Sequence, residues 1–228
     1  MQVAITSDIH NNLANLKKVL DYCNSKKIGT MICCGDLASL ETLDFLNDNF
    51  AGEIFYCFGN MDDGQMKTEV FKNPSPLLPL KKGERITSPF ACLPARQGKR
   101  GRGNLKNVQV IESCKYKNTL IFKNHGEIKI AGKSIAFVHY PDIAKKLAES
   151  GKYDFVFYGH THKPWSSFVS TDAKAMADKK TSEDKEENIN GCLMLNPGNV
   201  ANELYPPTFA VWKTENDKFK LVRVNDLK

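Results

Sequence analysis

Five short apolar segments, most of them followed directly by metal-binding side chains, constrain the fold of this chain more than any other feature. The segments have the length of β-strands and cover residues 2–6, 30–34, 54–58, 135–138 and 153–158. The polar residues around their ends are Asp8, His10, Asp36, Asn60, His139, His160 and His162. In an α/β sheet, loops that leave the carboxyl ends of the strands converge on one crevice. The sequence therefore predicts one polar site at the edge of a sheet.

The order of the elements predicts an α/β fold. Residues 13–23 carry apolar side chains at helical spacing, and further helical patterns cover residues 40–46 and 62–72. This strand–helix alternation favours a parallel sheet in the first half of the chain. The second half is predicted to be more antiparallel. Its elements are a hairpin of residues 127–131 and 134–139, a helix at 144–149, and strands at 192–195, 208–214 and 219–224.

A length of 228 residues favours one domain with insertions over two domains. We predict a single domain, 1–228, interrupted at about 74–106 and at 166–190. The first insertion is rich in proline, glycine and basic residues, and it is either a solvated loop or an arm that contacts phosphates. The second is a dense mixture of charged and small residues with too little apolar content for a core of its own.

Composition indicates a cytoplasmic location. The seven cysteines are an odd number without a CxxC pair, which is typical of reduced thiols inside the cell. No apolar run approaches the roughly 18 residues of a membrane span. The first residues read as a strand without a secretory leader. The formal charge of +6 is compatible with an anionic substrate.

The spacing of the polar residues suits two divalent metal ions. Asp8 and His10 are two residues apart, as are His160 and His162, so each pair points to one side of an extended segment. Asp36 could bridge two ions, and Asn60 offers a neutral oxygen. Two divalent ions, two aspartates and one hydroxide leave about one positive charge, which suits a phosphate group. The chain has no P-loop, which argues against a kinase or a nucleotide-driven motor.

Taken in order, the motifs DIH, GD, GN, H and GHTH resemble the signature of the calcineurin-like metallophosphoesterases. Residues 7–13 (SDIHNNL) and 196–200 (NPGNV) are similar to segments of the small bacterial and archaeal phosphodiesterases of that superfamily. The similarity covers residues 1–72 and 127–228. It implies a four-layer α/β/β/α sandwich, in which helices flank two mixed sheets.

The resemblance also implies the ligands and the reaction. One metal would be held by Asp8, His10, Asp36 and His162, and the other by Asp36, Asn60, His139 and His160. Mn²⁺ is the first expectation, and Fe, Zn²⁺ or Ni²⁺ are alternatives that the ligand types do not separate. A hydroxide that bridges the two ions would attack a phosphate ester, most readily a diester. Asp36, Asn60 and His139 are the expected catalytic residues.

Two positions depart from the family pattern. Met61 stands where many members have a histidine, and its thioether cannot donate a proton to a leaving group. The sequence His139-Tyr140-Pro141 replaces the frequent His-Gly-His. His125, which precedes Gly126, is a rival to His139. We interpret His125 as a turn residue before the hairpin, with a role as a substitute proton donor as the alternative.

Two further polar residues have two interpretations each. Asp62 either orients a ligand histidine or caps the helix that follows it. Asn199 either approaches the metals or holds a turn.

Three functions remain open from the sequence. The leading one is the two-metal phosphodiesterase. The second is a non-catalytic scaffold like the retromer subunit that shares the fold, and it predicts missing metal ligands. The third is a nuclease that uses the basic segment 96–106 to contact a nucleic-acid backbone, and it predicts strongly salt-dependent binding. An oligomer is compatible with all three.

Overall fold

The computed structural model describes residues 1–72, 113–170 and 191–227. In these ranges the strands are β1 Gln2–Thr6, β2 Thr30–Cys33, β3 Glu53–Cys57, β4 Ser113–Tyr116, β5 Thr119–Phe122, β6 His125–Ile130, β7 Lys133–Val138, β8 Phe155–Phe157, β9 Trp165–Ser170, β10 Gly191–Asn196, β11 Thr208–Lys213 and β12 Lys218–Arg223. The helices are α1 Leu13–Ser25, α2 Leu40–Asn49, α3 Gly64–Lys72 and α4 Pro141–Glu149, with a 3₁₀ turn at Val224–Asp226. No helix in these ranges is long and apolar enough to cross a membrane.

The strands form two mixed sheets. The first has seven strands in the order β12-β11-β1-β2-β3-β5-β4, and the second has five in the order β6-β7-β8-β10-β9. In the first sheet, β1, β2 and β3 run parallel, as the strand–helix alternation predicts, and the unpredicted β5 is parallel to β3. In the second sheet, the β6–β7 hairpin is antiparallel, but β7, β8 and β10 are parallel. The prediction of an antiparallel second half was therefore only partly right.

The two sheets and the helices make four layers. Along β1, Val3 and Ile5 face a core between the two sheets, whereas Ala4 faces a second core under α1 and α2. Alternate side chains of a strand point to opposite faces, so a strand buried on both sides reads as a continuous apolar run. A third cluster packs α4 against the outer face of the five-stranded sheet. This arrangement confirms the α/β/β/α sandwich.

Helix α1 begins where the first metal-binding motif ends. The Asn12 side chain accepts a hydrogen bond from the backbone N–H of Asn15 at 3.0 Å and so caps the helix. The helix then buries Leu16, Val19 and Leu20 against the seven-stranded sheet. Burying one such side chain contributes about 2 kcal/mol. The cap and the apolar face together place the loop of residues 8–11 at the carboxyl end of β1.

Several boundaries differ from the prediction. Residues 166–170 belong to β9, so that part of the predicted second insertion is a strand of the sheet. Strands β4 and β5 were missed, and α3 begins at Gly64 rather than at residue 62. Residues 74–106 and most of the second insertion lie outside the described residues.

Candidate metal centre

Five strands deliver the predicted ligand residues to one edge of the sandwich. Asp8 and His10 follow β1, Asp36 follows β2, and Asn60 follows β3. His139 comes directly after β7, and His160 and His162 follow β8. The carboxyl ends of these strands meet at one crevice, which is the common position of ligand sites in open α/β sheets.

The first group of donor atoms comes from Asp8, His10 and His162. One donor atom from each lies within 4.8 Å of the others. Nε2 of His162 is 3.4 Å from Oδ1 of Asp8, and Nε2 of His10 is 3.7 Å from the same oxygen. A carboxylate oxygen and two imidazole nitrogens that converge in this way are a common donor set for divalent transition metals.

The second group surrounds His139. Its Nε2 atom lies 3.1 Å from Oδ2 of Asp36 and 3.0 Å from Oδ1 of Asn60. Nδ1 of His160 lies 2.9 Å from the same Asn60 oxygen and 3.2 Å from His139 Nε2. Donor atoms of Asp8, Asp36 and His139 also lie within 4.8 Å of one another.

The carboxylate of Asp36 joins the two groups. Its Oδ2 atom lies 3.7 Å from Nε2 of His10, in the first group, and 3.1 Å from Nε2 of His139, in the second. Its Oδ1 atom accepts a hydrogen bond from the backbone N–H of Met61 at 2.8 Å. The side chain is almost completely buried, so its position is set by these neighbours.

The residues fit a divalent metal ion. Nε2 of His10 is buried and has no hydrogen-bond partner among the described residues. A buried polar atom without a partner costs about 1–3 kcal/mol, so such atoms are rare unless a ligand satisfies them. This nitrogen faces two aspartate carboxylates at 3.7 Å, which is the surrounding that a metal ligand needs.

The electrostatics of the site favour a bound cation. Burial alone would raise the pKa of Asp8, but the imidazoles of His10 at 3.7 Å and His162 at 3.4 Å outweigh it and hold the pKa well below the usual range. The nearby Asp8 carboxylate raises the pKa of both His10 and His162. Burial acts to lower the pKa of His139, yet the contact with Asp36 raises it overall. The carboxylates thus attract positive charge, which a metal ion can supply.

Strained backbone positions aim the ligands. Five of the ligand residues have positive φ angles, which cost about 1–3 kcal/mol each outside glycine. The values are 52° for Asp8, 46° for His10, 57° for Asp36, 70° for His160 and 59° for His162. Hydrogen bonds between the first two loops hold this geometry, including Asp8 N–H to the Gly35 carbonyl at 3.1 Å and Ile9 N–H to the Asp36 carbonyl at 2.8 Å.

The glycines of the motifs leave room for the ligand side chains. A Cβ atom on Gly59 would lie 2.2 Å from Oδ1 of Asp36. A Cβ atom on Gly159 would lie 1.9 Å from the Ser7 hydroxyl and 2.8 Å from Oδ2 of Asp8. The glycines before Asn60 and His160 are therefore required by close packing against the two aspartates.

Asp62 holds the backbone of the ligand loops. Its carboxylate accepts hydrogen bonds from the N–H groups of Asp36 at 3.1 Å, Ala38 at 2.9 Å and Gly59 at 2.6 Å. Neither sequence interpretation of Asp62 was right, because it contacts backbone rather than a ligand imidazole, and α3 is capped elsewhere. At the start of α3, the Asp63 side chain accepts from the Gln65 N–H at 2.8 Å.

Asn199 is a buried residue that holds a turn. Its amide donates to the carbonyl oxygens of His162 at 3.2 Å and Tyr205 at 3.1 Å, and its Oδ1 atom accepts from the Glu203 N–H at 3.1 Å. Nδ1 of His162 lies 3.4 Å from the Glu203 carbonyl oxygen. Asn199 thus steadies His162 through the backbone. The sequence did not single out Glu203, and it offers no motif that could have identified it.

His125 differs from its sequence interpretation, and Met61 contacts the centre through its backbone. His125 is the first residue of β6 and pairs with Val138, so its interpretation as a turn residue was wrong. Its Nε2 atom lies 3.2 Å from the Glu127 carboxylate. The Met61 side chain is 55% exposed, and it is the backbone N–H of Met61 that contacts the centre.

Comparison with known proteins identifies the family. The family model described as "Calcineurin-like phosphoesterase superfamily domain" matches residues 1–217 of this chain. A phosphodiesterase of Methanocaldococcus jannaschii is 24% identical over 221 residues, which cover 96% of this chain and 97% of the relative.

Solved structures agree with the fold. A novel archaeal phosphodiesterase superposes with a TM-score of 0.63 at 20% identity and covers 98% of this chain and 99% of its own. The phosphoesterase YfcE from E. coli superposes with a TM-score of 0.55 at 14% identity, over 100% of this chain and 96% of its own. The converging ligands, the four layers and the sequence match all lead to one assignment. The chain belongs to the calcineurin-like phosphoesterase superfamily and is a hydrolase of phosphoric ester bonds.

Proposed function

We propose that this chain is a phosphodiesterase that uses two divalent metal ions, with Mn²⁺ as the first candidate and Fe, Zn²⁺ or Ni²⁺ as alternatives. The observation that carries the proposal is the Asp36 carboxylate, which faces one histidine of each donor group. One ion would be held by Asp8, His10, Asp36 and His162, and the other by Asp36, Asn60, His139 and His160. The relative from M. jannaschii, which is named a phosphodiesterase, supports a diester substrate.

The chemistry that such ions supply is well defined: they lower the pKa of water so that it attacks phosphorus near neutral pH, and they withdraw charge from the phosphoryl oxygens. The side chains prepare the donors for that role. Nδ1 of His139 donates a hydrogen bond to the Cys34 carbonyl at 2.9 Å, which leaves the lone pair of Nε2 free to bind a metal. Asn60 contributes a neutral oxygen, so it adds a donor without reducing the positive charge at the site.

The residue at position 61 affects which phosphate esters are hydrolysed quickly. A thioether cannot protonate a departing alkoxide, and Met61 is the residue that follows Asn60. Hydrolysis should therefore depend steeply on the pKa of the leaving alcohol. Aryl esters, whose phenols leave as stable anions, should be much better substrates than alkyl esters of the same phosphate.

The proposal is tested by hydrolysis of bis(p-nitrophenyl) phosphate and p-nitrophenyl phosphate by metal-stripped protein reloaded with Mn²⁺. We expect activity that requires metal, a higher kcat/KM for the diester, and a loss of at least about 100-fold in Asp36→Asn and His139→Ala. Asp21→Asn is the matched control, because Asp21 is an exposed partner of Lys17 on α1, away from the ligand loops. A higher rate for the monoester would overturn the diester assignment.

The two alternatives make different predictions. A scaffold of this fold predicts missing ligands, whereas every expected ligand position here carries a metal-binding side chain. Folded, metal-loaded protein without turnover would favour it. The nuclease alternative depends on residues 96–106, which lie outside the described residues. It predicts nucleic-acid binding that weakens steeply with salt and with neutralisation of Arg96, Arg100 and Arg102. A cytoplasmic location and an oligomeric state stay predictions from the sequence.

A further inference from the structure

A cleft opens beside the metal centre. It encloses about 590 Å³ and lies between α3, the segment after β5, and the start of α4. Its lining includes Phe58, Phe71, Tyr140 and Ile143 on the apolar side, with Lys67 and Lys123 as its charged residues. The volume is that of a typical small-molecule site.

The cleft shares its wall with the second donor group. Gly59, in the lining, directly precedes Asn60, and Tyr140 directly follows His139. The Tyr140 ring centroid lies 5.1 Å from that of His139 and 5.4 Å from that of His160. A group attached to a phosphorus atom at the metal centre can therefore extend along Tyr140 into the cleft.

The apolar side of the cleft suits a flat ring. Phe58 and Phe71 contact each other with their ring centroids 6.2 Å apart, and the Tyr140 ring is only partly buried. Ile143, at the start of α4, is 36% exposed although it is large and apolar. Binding is favourable when a planar ring packs on exposed aromatic and aliphatic surface, because water is excluded from both faces.

The charged side of the cleft suits an anion. Nζ of Lys67 donates to the Gly59 carbonyl at 3.2 Å and lies 5.6 Å from the centre of the Phe58 ring, which holds the ammonium at the cleft wall. Lys123 adds a second ammonium, and the described lining residues include no carboxylate. An ammonium has three donors, so Lys67 can bind a further oxygen besides Gly59.

We infer that this cleft binds the retained ester group of the substrate and that this group combines a flat ring with a second negative charge. The inference rests on the proposed phosphodiesterase function and narrows its substrate class. A nucleotide ester is the simplest compound of this kind, because it joins a planar base to additional phosphate. The ring would pack on Tyr140 and Ile143, and the added anion would contact Lys67 and Lys123.

Three substrates with the same leaving group test the inference. They are methyl p-nitrophenyl phosphate, the p-nitrophenyl ester of thymidine 5′-phosphate, and that ester with a further 3′-phosphate. Each releases p-nitrophenolate from a phosphodiester, so differences in kcat/KM report the retained group. We expect the thymidine ester to exceed the methyl ester at least about fivefold, and the 3′-phosphate to increase kcat/KM further.

The variants separate the two parts of the cleft. Ile143→Ala should lower the preference for thymidine over methyl, and Lys67→Gln and Lys123→Gln should each lower the preference for the 3′-phosphate by about threefold. The matched controls are Leu221→Ala, an exposed leucine on β12, and Lys17→Gln on α1, and neither should change these ratios. A binding titration of metal-stripped protein with thymidine 3′,5′-bisphosphate gives a readout independent of turnover.

The outcomes distinguish the two proposals. If the three esters have similar kcat/KM values that no cleft variant changes, and the methyl ester is still hydrolysed, the cleft assignment is overturned. The proposed phosphodiesterase function is then unaffected. Turnover of none of the three esters, with bisphosphate binding that weakens in Lys67→Gln and Lys123→Gln, would support the cleft and overturn the proposed reaction.

Discussion

At the scale of single residues, the sequence motifs supply the metal-binding side chains, and hydrogen bonds from other residues position the loops that bear them. The spacing of Asp8 and His10 predicted two donors at one site, and the two donors do meet there. The expected extended segment was wrong, because φ is 52° at Asp8 and 46° at His10. The role of Asp62 could not be predicted from spacing at all. Two of its three backbone hydrogen bonds come from Asp36 and Ala38, which lie 26 and 24 residues away along the chain. Such contacts exist only once the fold has formed.

Asp62→Asn tests this supporting role. An amide oxygen accepts hydrogen bonds less strongly than a carboxylate, so the loops that carry Asp36 and Gly59 should be held less firmly. We expect Mn²⁺ affinity to fall by about 10–100-fold, measured by calorimetric titration. The neighbouring Asp63→Asn, at an exposed position that contacts Gln65, is the control. Equal affinities in the two variants would show that the Asp62 charge is unimportant.

Gly59→Ala tests the close packing behind the GN motif. The added methyl would lie 2.2 Å from Oδ1 of Asp36, so the carboxylate or the loop must shift. We expect diester hydrolysis to fall at least about tenfold, since small misplacements of catalytic groups are costly. Gly64→Ala is the control, because a Cβ atom there would have no heavy atom within 4 Å apart from its chain neighbours and the backbone of its own helix. Full activity in Gly59→Ala would contradict the packing argument.

At the scale of elements, apolar runs predicted the buried strands β1, β2 and β3, missed the interior strand β5, and were a poor guide at the sheet edges. Strands β1, β2 and β3 carry unbroken apolar runs because both of their faces are covered. Strand β4 includes Ser113 and Lys115 and forms an edge, so its sequence reads as a loop. Strand β9 was assigned to an insertion for the same reason, because only partner β10 makes its serine-rich segment a strand.

Substitution of the two tryptophans tests whether a core lies between the two sheets. Trp212 on β11 is fully buried between the sheets, 5.2 Å from the Phe155 ring and stacked on Phe219. Trp212→Ala should lower the free energy of unfolding by about 3–5 kcal/mol in a urea titration. Trp165→Ala, at a position that is 46% exposed, should cost less than about 1 kcal/mol. Similar losses in both would contradict a core between the two sheets.

At the scale of the whole molecule, six cysteines in the described ranges are buried and form no disulfide with one another. Burial raises the pKa of the Cys23 and Cys33 thiols to about 12. A thiol with a raised folded-state pKa contributes stability that is fully present below its unfolded pKa near 9 and is lost as the pH rises towards 12. The odd count and the missing CxxC pair predicted reduced thiols, and the apolar strands predicted burial of Cys33, Cys34 and Cys57. Burial of Cys23, Cys114 and Cys192 follows only from the folded structure.

Alkaline pH should therefore destabilise the protein in a defined window. We expect the free energy of unfolding to fall between about pH 9 and 12, by about 1.4 kcal/mol per pH unit for each thiol that ionises only on unfolding. Urea titrations at several pH values measure the slope, and Cys23→Ala should make it shallower. A stability that stays constant from pH 9 to 11 would contradict burial of the thiols.

We propose that two metal ions share Asp36 and act together. The first experiment adds Mn²⁺ in steps to metal-stripped protein and measures bound metal and bis(p-nitrophenyl) phosphate hydrolysis on the same samples. We expect two ions bound per chain, with activity that rises mainly with the second, and at most one tightly bound ion in Asp36→Asn. Full activity with a single bound ion, or hydrolysis without metal, would show that the proposed shared site is wrong.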